Sequence, residues 1–203
     1  MDTDLTNLFS AYEESDNFQI TSSYYEIDEL SKITLNTEFA NVLSILSLNI
    51  CSLNSKFSNL SNLLHNFHKD FSVINLQEIW SISKNFCLPG YQKLEYSSRD
   101  KYADYLNPNC GGGIGTFIRE GLSYEILEVK DQFITGVFES LWIKIKTKNN
   151  KFKIIGNIYR PNTTPTADPL LAINTLNNIL TSLKSKFKGV NITISGDLNF
   201  DLL

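Results

Sequence analysis

Val42-Leu-Ser-Ile-Leu-Ser-Leu-Asn49 and Val73-Ile-Asn-Leu-Gln-Glu78 bracket the segment whose reading decides the fold. Each is a short run of mostly branched apolar residues that ends on a polar side chain, the pattern of a strand buried within a sheet. Between them Phe57, Leu60, Leu64 and Phe67 recur at helical spacing, and Asn54 or Ser55 stands where a helix needs a cap. The unit reads as strand, helix, strand.

Working outward, Gly113 to Ile118, Ser123 to Val129, Phe138 to Ile145 and Phe152 to Tyr159 read as strands separated by turn chemistry such as Arg119-Glu-Gly121 and Lys148-Asn-Asn150. Leu141, Ile143 and Ile145 alternate with Trp142, Lys144 and Lys146, which predicts a partly exposed strand in an antiparallel middle. After Arg160-Pro-Asn162, a second amphipathic helix is predicted from Asp168 to Phe187, with Leu176, Leu180, Leu183 and Phe187 facing inward. Val190 to Ile194 then forms a further strand, ending in Ser-Gly-Asp197-Leu-Asn199.

The sequence before this body has a different character. Residues 1–40 carry nine acids and one lysine, a net charge of −8, and the remaining 17 basic and 13 acidic residues give the rest of the chain +4. That leader reads as a largely disordered acidic segment, with short helices near Leu5 to Tyr12 and Tyr24 to Lys32, followed by one domain from 41 to 203. A modestly basic body suits a polyanionic partner. The 203 residues contain no apolar run of the roughly 20 residues that cross a bilayer, and the acidic start is unlike a signal or transit peptide. Cys51, Cys87 and Cys110 are odd in number and lack a C-x-x-C pair, which fits a reducing compartment. The expectation is an intracellular protein, nuclear or cytoplasmic, and not a secreted or membrane one.

Four polar tips stand out: Asn49, Glu78, Tyr159 and the pair Asp197 and Asn199. Each follows a buried run, so it belongs at a sheet end, where layered α/β folds gather their chemistry. Glu78 with Asn49 nearby offers a hard cation its oxygen ligands. Cleaving a phosphodiester further needs a base for water and amide or phenol donors for phosphate oxygens, which Asp197, Asn199 and Tyr159 can supply.

The ordered series Leu48-Asn49, Leu76-Gln-Glu-Ile-Trp80, Gly111-Gly-Gly-Ile-Gly-Thr-Phe-Ile118, Asn157-Ile-Tyr-Arg-Pro-Asn162 and Ser195-Gly-Asp-Leu-Asn-Phe200 resembles the endonuclease/exonuclease/phosphatase superfamily. More narrowly, it is similar to the apurinic-type endonuclease domain of non-LTR, LINE-type retrotransposons. The resemblance implies a four-layer, DNase I-like α/β sandwich, two packed mixed sheets flanked by helices. It also implies a metal-dependent phosphodiesterase that nicks DNA, with Mg²⁺ as cofactor and Mn²⁺ as a substitute. Carried over position by position, Glu78 is the principal metal ligand and Asn49 sits beside the metal. Tyr159 contacts the scissile phosphate region, Asp197 orients or deprotonates the attacking water, and Asn199 holds the geometry. Asn162 and Arg160 are placed at the nucleic acid.

The family pattern continues to a second acid and a Ser-Asp-His motif, whereas this sequence ends at Asp201-Leu-Leu203 and both of its histidines, His65 and His68, precede Glu78. The expectation is a C-terminally incomplete domain, its last strands missing, impaired in activity and open to self-association through an exposed sheet edge. Two alternatives accompany it: a phosphomonoesterase of the inositol phosphatase type, and a non-catalytic remnant that at most binds nucleic acid. The glycines from Gly111 to Gly115 lack a following Gly-Lys-Ser/Thr and read as close packing or a bend, not a phosphate loop. His65 and His68 read as surface residues. Lys144, Lys146, Lys148, Lys151 and Lys153 form a basic cluster around a hairpin, read as a solvated surface that blunts aggregation.

Overall fold

The computed structural model of the chain describes residues 23–34, 43–67, 70–80, 82–97, 111–147, 151–162 and 168–199. After a short helix α1 (Ile27–Thr34), β1 (Ile45–Asn49), α2 (Leu53–His65) and β2 (Val73–Gln77) form the strand–helix–strand unit. There follow β3 (Glu95–Ser97), β4 (Ile114–Ile118), β5 (Tyr124–Leu127), β6 (Phe133–Ile134), β7 (Phe138–Lys146), β8 (Phe152–Tyr159), α3 (Pro169–Lys186) and β9 (Asn191–Asp197). One sheet has the order β1-β2-β4-β3 and the other β5-β7-β8-β9, with β6 added to β7. Both are mixed. The pairs β1/β2 and β8/β9 are parallel and every other pairing is antiparallel.

Strand alternation assigns the layers. On β2, Ile74 and Leu76 share a cluster with Leu53 and Leu60 of α2, while Val73 belongs to a cluster with Ile143, Ile145 and Ile155 of the other sheet. On β8, Ile154 and Ile158 pack with Ala172, Ile179 and Leu183 of α3. The result is helix, sheet, sheet, helix, the four-layer mixed α/β architecture. Each fully buried residue of the size of Phe117 or Trp142 contributes roughly 2–3 kcal/mol over leaving it exposed.

The gap between the sheets is not uniformly apolar. Asn157 on β8 donates to the carbonyls of Leu76 (3.2 Å) and Gly115 (2.9 Å) and accepts from Gln77 Nε2 at 2.7 Å. Thr116 Oγ1 donates to Asn75 Oδ1 at 2.8 Å, and Asn75 Nδ2 donates to Ser195 Oγ at 2.7 Å. Among the described residues no buried side-chain polar atom is left without a partner. Apolar sheet faces tolerate sliding, but directional bonds do not, so this seam sets the register of one sheet on the other.

Several local expectations change. The α2 N-cap is Ser52, not Asn54 or Ser55, and it makes no side-chain capping bond. Its backbone is left-handed (φ 84°), because the chain turns there to bond Glu78, while Asn54 Oδ1 accepts from Ser83 Oγ at 3.0 Å. The buried stripe of α3 runs through Ala172, Thr175, Ile179 and Leu183, with Leu176, Leu180 and Phe187 on its flank, because small residues let the helix sit close to the sheet. β7 is a central strand and is exposed only towards its end, at Lys144 and Lys146; Trp142, on the same face as these lysines, is fully buried beneath α3 against Gly156. The short strands β3 and β6 carry too few residues for a period to show. The predicted helix near Leu5 to Tyr12 lies outside the described residues, whereas that near Tyr24 to Lys32 corresponds to α1.

The helix predicted from Asp168 begins at Pro169, and Asp168 is its cap, accepting from Leu170 N at 2.9 Å and Leu171 N at 3.1 Å. Asp168→Ala is expected to cost about 1 kcal/mol, measured as a shift in denaturation midpoint without a change in slope.

Tyr91 donates to the Phe71 carbonyl at 3.0 Å and Tyr124 to Glu95 Oε1 at 2.7 Å. Burial, helped by the Asp70 charge for Tyr91 and by Glu95 for Tyr124, pushes both hydroxyls up to about 12. A folded-state value above the ordinary value of 10.0 means that their contribution is complete below pH 10 and is lost as pH rises towards 12. Denaturation midpoints should therefore fall over that window, and Tyr91→Phe should flatten the fall.

Candidate active site

Both parallel pairs end at the same place. Asn49 at the end of β1 is in register with Gln77, which precedes Glu78, and Tyr159 at the end of β8 is in register with Asp197 at the end of β9. Asn49 Nδ2 donates to Glu78 Oε1 at 2.9 Å and to Asp197 Oδ2 at 2.8 Å, so one amide joins an acid of each sheet. Tyr159 OH donates to the same Glu78 Oε1 at 2.9 Å. The orientation of the amide follows from its partners: both acids accept, whereas its Oδ1 receives the Cys51 N–H at 3.3 Å.

Asn199 stands one step behind. Its backbone N–H donates to Asp197 Oδ1 at 3.2 Å, its Nδ2 to the Arg160 carbonyl at 2.8 Å, and its Oδ1 accepts from the exposed Asn162 at 3.2 Å. Arg160, expected at the nucleic acid, is only 6% exposed. Its Nε donates to the Leu198 carbonyl at 2.6 Å and its Nη2 to the Asn199 carbonyl, so the guanidinium is turned inward and ties the end of β8 to the loop after β9. Burial lowers its pKa and the Asp197 charge opposes that, leaving an arginine charged at any working pH.

Burial pushes the Glu78 carboxyl up, but hydrogen bonds from Asn49, Tyr159, Trp80 and Cys51 together outweigh it and hold the group below the usual carboxylate range. Glu78 is therefore ionised near neutrality. Its Oε2 has only long contacts, to Trp80 Nε1 at 3.5 Å and Cys51 Sγ at 3.6 Å. The Cys51 thiol is pushed up, first by burial and then by the Glu78 charge, and stays protonated. Glu78 and Asp197 offer carboxylate oxygens to a hard cation, and the Asn49 NH₂ holds one oxygen of each in place. Among the described residues no three His, Cys, Asp or Glu side chains gather into a fuller cage.

The backbone carries a second signature. Of six non-glycine residues with positive φ among the described residues, five are here: Cys51 (45°), Ser52 (84°), Glu78 (53°), Trp80 (59°) and Asn199 (49°). Such conformations cost of order 1–3 kcal/mol each and persist where surroundings enforce them. Ser52 N bonds the Glu78 carbonyl at 2.8 Å, and Ile79 N and Trp80 N bond the carbonyls of Gly113 (3.1 Å) and Gly112 (2.8 Å). The glycine run is thus a wall of the site: a Cβ at Gly111 would lie 3.2 Å from Glu78 Oε2 and 3.1 Å from Trp80 Nε1. Gly113 N in turn donates to Glu139 Oε2 at 2.7 Å, a carboxylate only 2% exposed.

Sequence reasoning missed Cys51, Trp80 and Glu139. Trp80 stood inside a quoted motif, and Cys51 lies two residues from Asn49, but neither spacing nor alternation marks Glu139. The basic cluster is remote, since Lys146 and Phe152 pair at the end of the β7/β8 ladder opposite Tyr159. There Lys144 pairs with Glu125 at 2.5 Å and sits over the Phe152 and Phe187 rings. His65 is exposed at the end of α2, and His68 and Lys148 lie outside the described residues. A cavity of 520 Å³ lined by Ile82, Phe86, Tyr91, Leu94 and Tyr96 among others contains none of the site residues. No helix among the described residues is long and apolar enough to cross a membrane.

No protein family profile and no curated protein matches the sequence. Solved structures do match the fold. An endonuclease/exonuclease/phosphatase family protein from Bacteroides thetaiotaomicron aligns with 79% of this chain and 64% of its own, at 18% identity and a TM-score of 0.54. The human Nocturnin catalytic domain, solved with a sulfate anion, aligns over 78% and 64% at 13% identity and a TM-score of 0.51. ANGEL2, a 2',3'-cyclic phosphatase, aligns over 77% and 52% at 17% identity and a TM-score of 0.51. The chain thus spans between about half and two thirds of the length of each. At these identities the likeness establishes the fold.

Proposed function

We propose that the chain is a metal-dependent phosphodiesterase of the retrotransposon endonuclease type, acting on DNA. The observation that carries this reading is the single amide of Asn49 joining Glu78 and Asp197 at the meeting of two parallel strand ends. Neighbours of the same fold support the reaction class: one is a 2',3'-cyclic phosphatase, and another holds sulfate, an anion shaped like phosphate.

The donors fit Mg²⁺, which takes one or two carboxylates and fills its remaining positions with water and substrate oxygens. Glu78, ionised and with Oε2 only loosely engaged, would hold it, with Asp197 and Asn49 beside it. Bound there, the cation supplies positive charge to phosphate oxygens as charge builds on them. The chain's own residues do the rest. Asp197 orients a water and accepts its proton, with the Asn199 N–H and the Asn49 amide fixing the carboxylate. Tyr159 has one hydroxyl proton, and it is given to Glu78; its role here is to hold the carboxylate ionised, and contact with a phosphate would require that bond to break. Arg160 acts as a clamp on the Asp197–Asn199 loop, and Asn162, exposed beside Asn199, is the group offered to the nucleic-acid backbone.

The test is nicking of supercoiled plasmid in Mg²⁺ or Mn²⁺, abolished when EDTA is added beforehand, with an inositol phosphate assay alongside. Phosphate release without nicking would transfer the site to the phosphomonoesterase class, and neither activity would reduce the chain to a nucleic-acid-binding remnant.

A further inference from the structure

We propose that the exposed indole of Trp80 is a stacking platform for an unstacked nucleobase beside the scissile phosphate, so that the preferred substrate presents an unpaired or extrudable base there. This deepens the phosphodiesterase reading and rests on it. The chain has two tryptophans with opposite fates: Trp142 is fully buried under α3, whereas Trp80 is 39% exposed. The pyrrole edge of Trp80 lies at the carboxylate assigned to the cation, with Nε1 3.5 Å from Glu78 Oε2. Other large hydrophobic residues are exposed among the described ones, but none is placed this way. Tyr96 lines the separate cavity, Phe152 stands at the far end of β8, and Leu170 and Leu171 are on α3.

The fold holds the indole at this rim actively. The left-handed backbone of Trp80 is enforced by its N–H bond to the Gly112 carbonyl and by Ile79 N on the Gly113 carbonyl. Gly111 contributes by omission, since any Cβ there would crowd the indole nitrogen at 3.1 Å. A flat aromatic face next to a phosphate site matches the two halves of a nucleotide. Every base has a π-face, so stacking is sequence-tolerant. A base within an intact duplex has its faces occupied by its neighbours, so the platform selects bases that are unpaired, mismatched or easily extruded.

The experiment uses the full chain in EDTA, where binding is read without cleavage. Single-stranded, fully paired and singly mismatched oligonucleotides are titrated, following tryptophan emission together with the anisotropy of labelled DNA. Because Trp142 is buried, quenching reports Trp80. The expected result is quenching by single-stranded and mismatched DNA, and binding of paired DNA with little quenching. Trp80→Ala should raise Kd for mismatched DNA on the order of 10-fold or more and leave paired DNA nearly unchanged, with Trp80→Phe restoring most of the affinity. In Mg²⁺ the same variant should raise KM on the mismatched substrate more than on the paired one. Equal quenching by paired DNA, or a Trp80→Ala protein of unchanged thermal stability that binds mismatched DNA as wild type does, would overturn the proposal. Intact Mg²⁺-dependent nicking without quenching rejects the platform and leaves the phosphodiesterase standing. Quenching with no nicking of any substrate rejects the phosphodiesterase instead.

Discussion

Glu78→Gln is expected to reduce Mg²⁺-dependent nicking on the order of 10³-fold, because it removes the charge that would hold the cation from a set of groups that act as a unit. The replacement is nearly isosteric, so the effect is chemical. In the native protein the carboxylate accepts from Asn49, Tyr159, Trp80 and Cys51. Glutamine keeps one acceptor oxygen and turns an NH₂ towards groups that are themselves donors. One such mismatch costs about 1–3 kcal/mol, so the melting temperature should fall by roughly 2–10 °C, leaving the protein folded at assay temperature while activity collapses. Glu78→Asp, which keeps the charge but shortens the reach to Asn49 and Tyr159, should fall between the two. Nicking at the wild-type rate by Glu78→Gln protein would show that the cleavage comes from elsewhere.

Gly196→Ala should be severely damaging. Gly196 has φ 151°, and a Cβ there would stand 1.9 Å from the Ile158 carbonyl oxygen, which is backbone and has no side chain to swing away. The β9 strand would have to move off β8, and Gly196 adjoins Asp197 in the register that places Asp197 beside Tyr159. Strain and overpacking together suggest a loss of roughly 3 kcal/mol or more, about 10 °C in melting temperature for a domain of this size. Activity should fall further than the folded fraction does, because the acid is displaced from the Asn49 amide even in molecules that fold. Gly121→Ala, at a turn with nothing within 4 Å of the added carbon, is the matched control, carrying only the cost of its positive φ. Equal losses at the two glycines would refute the register argument.

The contrast between these glycines separates what is local from what is not. Apolar runs and helical spacing are properties of neighbouring residues, and burial follows them, so β1, α2, β2, β4, β7, β8 and α3 were legible within a few residues. The polar tips were legible for the same reason: Asn49, Glu78, Tyr159 and Asp197 each end an apolar run, and a strand end is where a polar group meets solvent. That Glu78 and Asp197 share one amide was not legible. They are 119 positions apart in the sequence, and their meeting depends on how one sheet sits on the other.

The chain's own order therefore determined the longer strands and the two main helices, and the acids available for chemistry. The tertiary structure decided the rest. It set the inter-sheet register through Asn157, Gln77, Asn75 and Ser195, turned Arg160 inward onto two carbonyls, buried Trp142 and exposed Trp80, and brought Glu139 behind the glycine wall. The physical reason is the difference between the forces. Burial depends on composition and period, which a short window of sequence displays, whereas a hydrogen bond between residues 80 or 120 apart depends on the direction of two side chains that only the assembled sheets bring face to face.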